Sequence, residues 1–229
     1  LARRLGTLPL LATLKLSGKP DAAAALQREA EALRELHASA PDPAAGYVAQ
    51  CLPTVLACGS VENEPSRHAL VLKHPTGYWG SLAELSARFP RGLDPRHSVW
   101  IWRRMLDVLK FLHTAGWSHG DIRPEHALVH PADHGVRIIG WARAQPAATG
   151  PAQAADLMRS ARVIQVLLRG SDHPDTLPAS VPDGLSALLK RASDDEAFCR
   201  AQGSAGLDSL LKLEARNAFG PPTFLPLVL

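Results

Sequence analysis

The stretch SHGDIRPEHALV (118–129) sets Asp121, Arg123 and Glu125 on alternate positions, with an apolar helical pattern upstream (99–117) and a strand pattern, VRIIGWARA (136–144), downstream. An acid on such a loop can orient or deprotonate an attacking hydroxyl, and an arginine two residues on can neutralise a phosphate. A short acid in a turn can equally organise the loop by accepting backbone N–H bonds. The next loop, around Gly140 and Trp141, carries no acid at all. His119, His126, His130 and His134 cluster along this region, but their spacing matches no zinc pattern and no cysteine accompanies them. No metal site is expected from them.

The elements around this loop follow from periodicity. Residues 8–18 read as a strand carrying Lys15. Residues 20–38 read as a helix with Asp21 as N-cap; Leu26, Ala30, Leu33 and Leu36 share one face and Glu29 lies beside it. Strands are expected at 52–61 and 68–75, joined by the turn-like ENEPSR. A short helix at 80–89 has Ser81 as its cap. A long helix at 95–116 stops at Gly116, with Val99, Trp102, Leu106, Leu109 and Leu112 as its apolar stripe and Met105 flanking. Two short strands flank PADHG (131–135), and helices are expected at 155–170, 181–193 and 206–218. The composition shifts near residues 75–80, which divides an α+β chain into a strand-rich lobe, 1–75, and a helical lobe, 76–229.

The whole chain has 229 residues, 46% apolar and 21% charged, with a formal net charge of +3. That is an ordinary globular composition and does not point to nucleic acid. Trp100 and Trp102, two apart on a helix, face different ways and make no stacking strip. No apolar run reaches the ~18 residues of a membrane span. Cys51, Cys58 and Cys199 form no C-x-x-C pair, which fits reduced thiols and a cytoplasmic location. The segment FGPPTFLPLVL (219–229) is apolar and proline-rich; it either packs back on the helices or docks a partner.

In this order the pieces resemble the protein-kinase-like superfamily. ATLKL looks like the strand bearing the phosphate-pairing lysine, Lys15, and REAEALREL like the helix with its ion-pair partner, Glu29. ALVLKHPTGYWGSL looks like the hinge, with Leu72 at the gatekeeper place and Lys73 and His74 beyond it. HGDIRPEHALV is similar to H-R-D-L-K-P-E-N, which places Asp121 at the base position, Arg123 at that of the phosphate-contacting lysine, and His119 at that of the packed histidine. VRIIGWARA is similar to the strand leading into D-F-G, and AADLMRSARVIQVLLRG looks like the buried helix whose aspartate, Asp156, ties down the loop. The resemblance implies a stack of Leu33, Cys58, Trp141 and His119, anchored at Asp156.

The departures decide what the resemblance implies for function. His126 stands in place of the metal-binding asparagine, and Gly140 in place of the D-F-G aspartate. Mg²⁺ wants hard oxygen ligands, and without a cation the phosphate charge is uncompensated. Gly6 is the only glycine before Lys15, so there is no room for a glycine-rich loop and both of its strands: either the chain is truncated, or the first lobe lacks the family's first strand. Thr13 narrows the place where alanine faces adenine. The segment between Gly140 and Asp156 is short and has no A-P-E motif. The chain therefore reads as a pseudokinase, a regulatory or scaffold module that binds another protein or a flanking domain of its own chain, with no ATP or Mg²⁺. Asp121, Lys15, Glu29 and Arg123 are then vestigial. The alternative is an atypical ATP-dependent phosphotransferase, acting on a small molecule or a protein with Asp121 as base.

Overall fold

The computed structural model describes residues 2–4, 10–39, 52–74, 76–147, 150–171 and 175–229. Gly6 and Cys51 lie outside the described residues. The first lobe is a four-stranded antiparallel sheet of β1 (Ala2–Arg4), β2 (Leu10–Ser17), β3 (Val55–Val61) and β4 (Glu64–Lys73), in the order β1-β2-β4-β3. In this register Lys15 lies opposite Leu70 and Thr13 opposite Leu72. Helix α1 (Pro20–Ala38) packs on the sheet and buries Ala30, Leu33 and Leu36 with Leu70 and Leu72.

Two local expectations need correcting here. Lys19, not Asp21, is the N-cap of α1, and it makes no side-chain cap bond. Pro20 occupies the first helical turn, where its missing N–H costs nothing, and Asp21 sits inside that turn, facing the positive end of the helix. The strand pair is also tighter than ENEPSR implied. The chain turns at Glu62 and Asn63, with Asn63 in the left-handed region (φ 63°), and residues 64–67 already belong to β4. Their polar side chains are exposed, so the apolar pattern begins only at His68–Ala69.

The second lobe is mainly helical. The short strand β5 (Gly80–Ser81) leads into α2 (Leu82–Arg88), closed by a reciprocal capping box of Ser81 and Glu84. Helix α3 (Pro95–Thr114) is capped by the Asp94 side chain and followed by Gly116 at φ +76°. Its buried stripe is Ile101, Trp102, Met105, Leu106, Leu109 and Leu112, with Val99 only half-buried. Then come β6 (Trp117–Ser118), a 3₁₀ turn at Pro124–His126, β7 (Ala127–His130), β8 (Gly135–Ile138), a second 3₁₀ turn at Trp141–Arg143, and β9 (Gln145–Pro146). Helices α4 (Pro151–Arg169), α5 (Asp183–Asp194) and α6 (Glu196–Phe219) complete the lobe. Strands pair as β5-β7-β8 and β6-β9.

Helix α6 starts well before the expected 206, because Asp195 caps Phe198 N–H. Gly203 breaks it at φ 58°, ψ −176°. Helices α3, α4 and α6 pack on one another; Trp102 lies buried between two of them and donates its Nε1–H to Ser160 Oγ at 3.0 Å. Among the described residues no helix is long and apolar enough to cross a membrane.

Candidate functional site

Lys15 projects from β2 toward α1. Its Nζ donates to both carboxylate oxygens of Glu29, each at 2.7 Å. Glu29 is only 2% exposed and also accepts the backbone N–H of Trp141 at 3.3 Å. One carboxylate therefore ties together a strand, a helix and the loop after β8. A buried acid with a bidentate lysine and a backbone donor is well satisfied, whereas the same acid alone would be a buried uncompensated charge.

The 118–126 loop is held from below. Asp156 on α4 is fully buried and accepts the N–H groups of His119 at 2.7 Å and Gly120 at 2.9 Å. His119 is buried edge-on against the Trp141 ring, with centroids 4.6 Å apart. Its Nδ1 accepts the Asp121 N–H at 3.2 Å. Burial pushes the His119 imidazole down to about 4, with the Asp156 charge pulling the other way. Leu33 and Trp141 are fully buried as well. Cys58 departs from the expected stack, being only half-buried; its thiol points at Leu26 O and Gln27 Oε1 on α1. The cause is its place on β3 at the sheet edge; its register partner on β4, Leu70, is the fully buried residue.

His126 and Gly140 are coupled. His126 Nδ1 lies 2.9 Å from the backbone oxygen of Asp121, and its Nε2 lies 2.9 Å from Arg123 Nη2 and 3.3 Å from Arg123 Nε. A carbonyl only accepts and a guanidinium only donates, so the proton sits on Nδ1 and Nε2 is the acceptor. Both ring nitrogens are thereby used. Gly140 adopts φ +81°, and a Cβ there would stand 2.7 Å from Nδ1 and Cε1 of His126. The imidazole fills the space that a side chain at 140 would enter. Spacing alone could not reveal this, because the two positions are fourteen residues apart and meet only across the β7–β8 hairpin.

Asp121 keeps a partly exposed carboxylate, with Oδ2 3.4 Å from His126 Nδ1 and Oδ1 3.8 Å from Arg123 Nε. Arg123 thus bonds to its own loop, with Glu125 a further 4.0 Å contact. At the hinge, Leu72 is buried, and the Thr13 hydroxyl and His74 Nδ1 are 3.1 Å apart. The backbone N–H groups of Lys73 and His74 are already spent on Thr54 O and Leu11 O. Among the described residues an open groove of about 520 Å³ lies between the start of α1 and β4, lined by Pro20, Ala23, Ala24, Gln27, Pro65 and His68 among others.

Among the described residues no three His, Cys, Asp or Glu side chains come together as a metal site. The donor set at the loop does not fit Mg²⁺: one carboxylate, an imidazole with both nitrogens engaged, and a glycine.

A sheet presenting a lysine to a helix-borne glutamate, above a loop tied down by a buried aspartate, defines a protein-kinase-like fold. The solved structure of vaccinia related kinase 3 is similar to this chain, with a TM-score of 0.57 at 15% identity, covering 90% of this chain and 80% of that one. At that identity the likeness is one of fold alone. The chain belongs to the lipopolysaccharide kinase (Kdo/WaaP) family, whose model matches residues 22–169 and so takes in Glu29, the 118–126 loop, Gly140 and Asp156. No match is found among curated protein sequences.

Proposed function

We propose that this chain is a pseudokinase: a kinase-like domain that transfers no phosphate and serves as a regulatory module for another protein or for a flanking domain of its own chain. The observation that carries this is the imidazole of His126 standing where a ligand at position 140 would go, with both its nitrogens engaged by Arg123 and Asp121. Adjacent phosphates without a cation are strongly repelled, and electrostatic compensation is usually the largest part of phosphoryl-transfer catalysis. The Lys15–Glu29 pair and the Asp156 anchor then serve to keep the two lobes in register without nucleotide. The half-buried Cys58 thiol and the buried Cys199 thiol, both unpaired, fit a reducing cytoplasmic setting. Thermal unfolding with and without ATP and Mg²⁺ tests the reading. The melting temperature is expected to stay the same, since a ligand at a hundred times its Kd would add about 2.7 kcal/mol; a magnesium-dependent rise of several degrees contradicts it.

A second reading has its own support. The Lys15–Glu29 pair is intact, the Asp121 carboxylate is partly exposed, and the matching family takes its name from kinases that act on lipopolysaccharide. On that reading the chain is an atypical phosphotransferase with Asp121 orienting a hydroxyl of a small molecule, a sugar or a protein. It requires transfer of label from γ-radiolabelled ATP that Asp121→Asn abolishes.

A further inference from the structure

Residues 220–229 form neither helix nor strand. Pro221, Pro222 and Pro226 favour the extended polyproline conformation, and the whole stretch is uncharged. This segment lies against the start of α3 and the β7–β8 turn. The Phe224 ring stacks on His134 (4.3 Å, 20°), and His134 stacks in turn on Trp100 (4.3 Å, 2°). His134 Nε2–H donates to the backbone oxygen of Leu225 at 2.8 Å. His97 meets both Trp100 and His134 edge-on and accepts Trp100 Nε1–H at 3.1 Å. Arg104 holds the turn through His134 O at 3.1 Å. Three residues beyond Phe224, Leu227 is buried.

In a polyproline helix, with about three residues per turn, positions 224 and 227 would fall on one edge. The surface therefore meets two features of this segment, an aromatic ring and the next residue's backbone carbonyl, and the segment is anchored further on by the buried Leu227. Aromatic platforms that combine stacking with one hydrogen bond are the physical basis of proline-rich peptide recognition. The hold is light, because Phe224 stays 65% exposed and Val228 79% exposed. We propose that the face formed by His97, Trp100 and His134 is a binding groove for an extended, uncharged, proline-rich peptide of a partner protein, and that residues 221–229 occupy it in cis. This uses no residue of the interlobe cleft and stands whether or not the chain transfers phosphate.

A fluorescein-labelled peptide of sequence FGPPTFLPLVL, titrated into the full chain, is the test. The cis segment competes at an effective concentration in the millimolar range. The peptide is therefore expected to bind the Phe224→Ser/Leu227→Ser chain at least about tenfold tighter than the wild type. Adding His134→Ala removes that gain, and a peptide with serine in place of its second phenylalanine does not compete. Equal affinity for the two chains, or no binding to a variant whose circular dichroism matches the wild type, overturns the proposal. Should the double variant fail to fold, the wild type decides: millimolar peptide must shift the Trp100 indole N–H resonance, and the serine-substituted peptide must leave it in place. An unmoved Trp100 resonance overturns the proposal equally.

Discussion

At position 140 the missing side chain and the occupied space are two sides of one substitution pattern. Gly140→Asp introduces a side chain in the left-handed region and against the His126 ring. The expected loss is about 1–3 kcal/mol in urea unfolding, from backbone strain and the displaced imidazole. His126→Asn in the same chain opens the space, so the double variant recovers part of that loss, with a coupling above ~0.5 kcal/mol. Strict additivity of the two changes argues against the contact. Lys15→Met removes the bidentate partner of a 2%-exposed carboxylate. Lys15 is itself partly exposed, so the expected cost is about 3 kcal/mol, the low end for breaking a buried pair. A loss under about 1 kcal/mol would make Glu29 a solvated acid instead.

Among the elements, those with strong local signals are legible in the sequence. The bounds of helix α1 are legible because Ala, Leu, Glu and Arg dominate it and Pro20 opens it, while its N-cap is Lys19 and not the expected Asp21. The Ser81 cap of α2 is legible from a serine standing just ahead of a helical run, and Ser81→Ala is expected to cost about 1 kcal/mol in thermal or urea unfolding, with no change conflicting with the capping box. The start of β4 is hidden because residues 64–67 are polar and exposed, and periodicity reports only faces that bury. The first half of α6 is hidden because Gly203 interrupts its pattern. In the site, Asp156 beneath the loop and Lys15 beside Glu29 are legible as motif positions. The pairing of His126 with Gly140, and the use of both His126 nitrogens, depend on a hairpin bringing distant residues together, and no local pattern encodes that.

Across the whole molecule, burial sets the pH response. His97, His119 and His134 are all held below the ordinary histidine value by desolvation, His119 furthest, at about 4. Each binds its proton less readily in the folded state than in the unfolded chain, which takes up protons once pH falls below about 6.5. Stability is therefore fully present above that value and declines as pH falls from about 6.5 toward 4. For His119 alone the drop approaches about 3 kcal/mol across that window. Urea midpoints at pH 7.5 and 4.5 check it, and His119→Leu, which binds no proton, must flatten part of the slope. An equal slope in that variant assigns the acid sensitivity to other groups.

The two lobes are joined by contacts that need no ligand: Glu29 to Trp141, Trp141 to His119, and His119 and Gly120 to Asp156. On the proposed reading, that arrangement keeps the shape of a kinase, with the His126 ring standing where a side chain at position 140 would enter. The most direct measurement is calorimetric titration of ATP with Mg²⁺ into the wild-type chain, beside the same titration with chelator. No magnesium-dependent heat is predicted for the wild type; saturable, magnesium-dependent binding in the micromolar range would contradict the account.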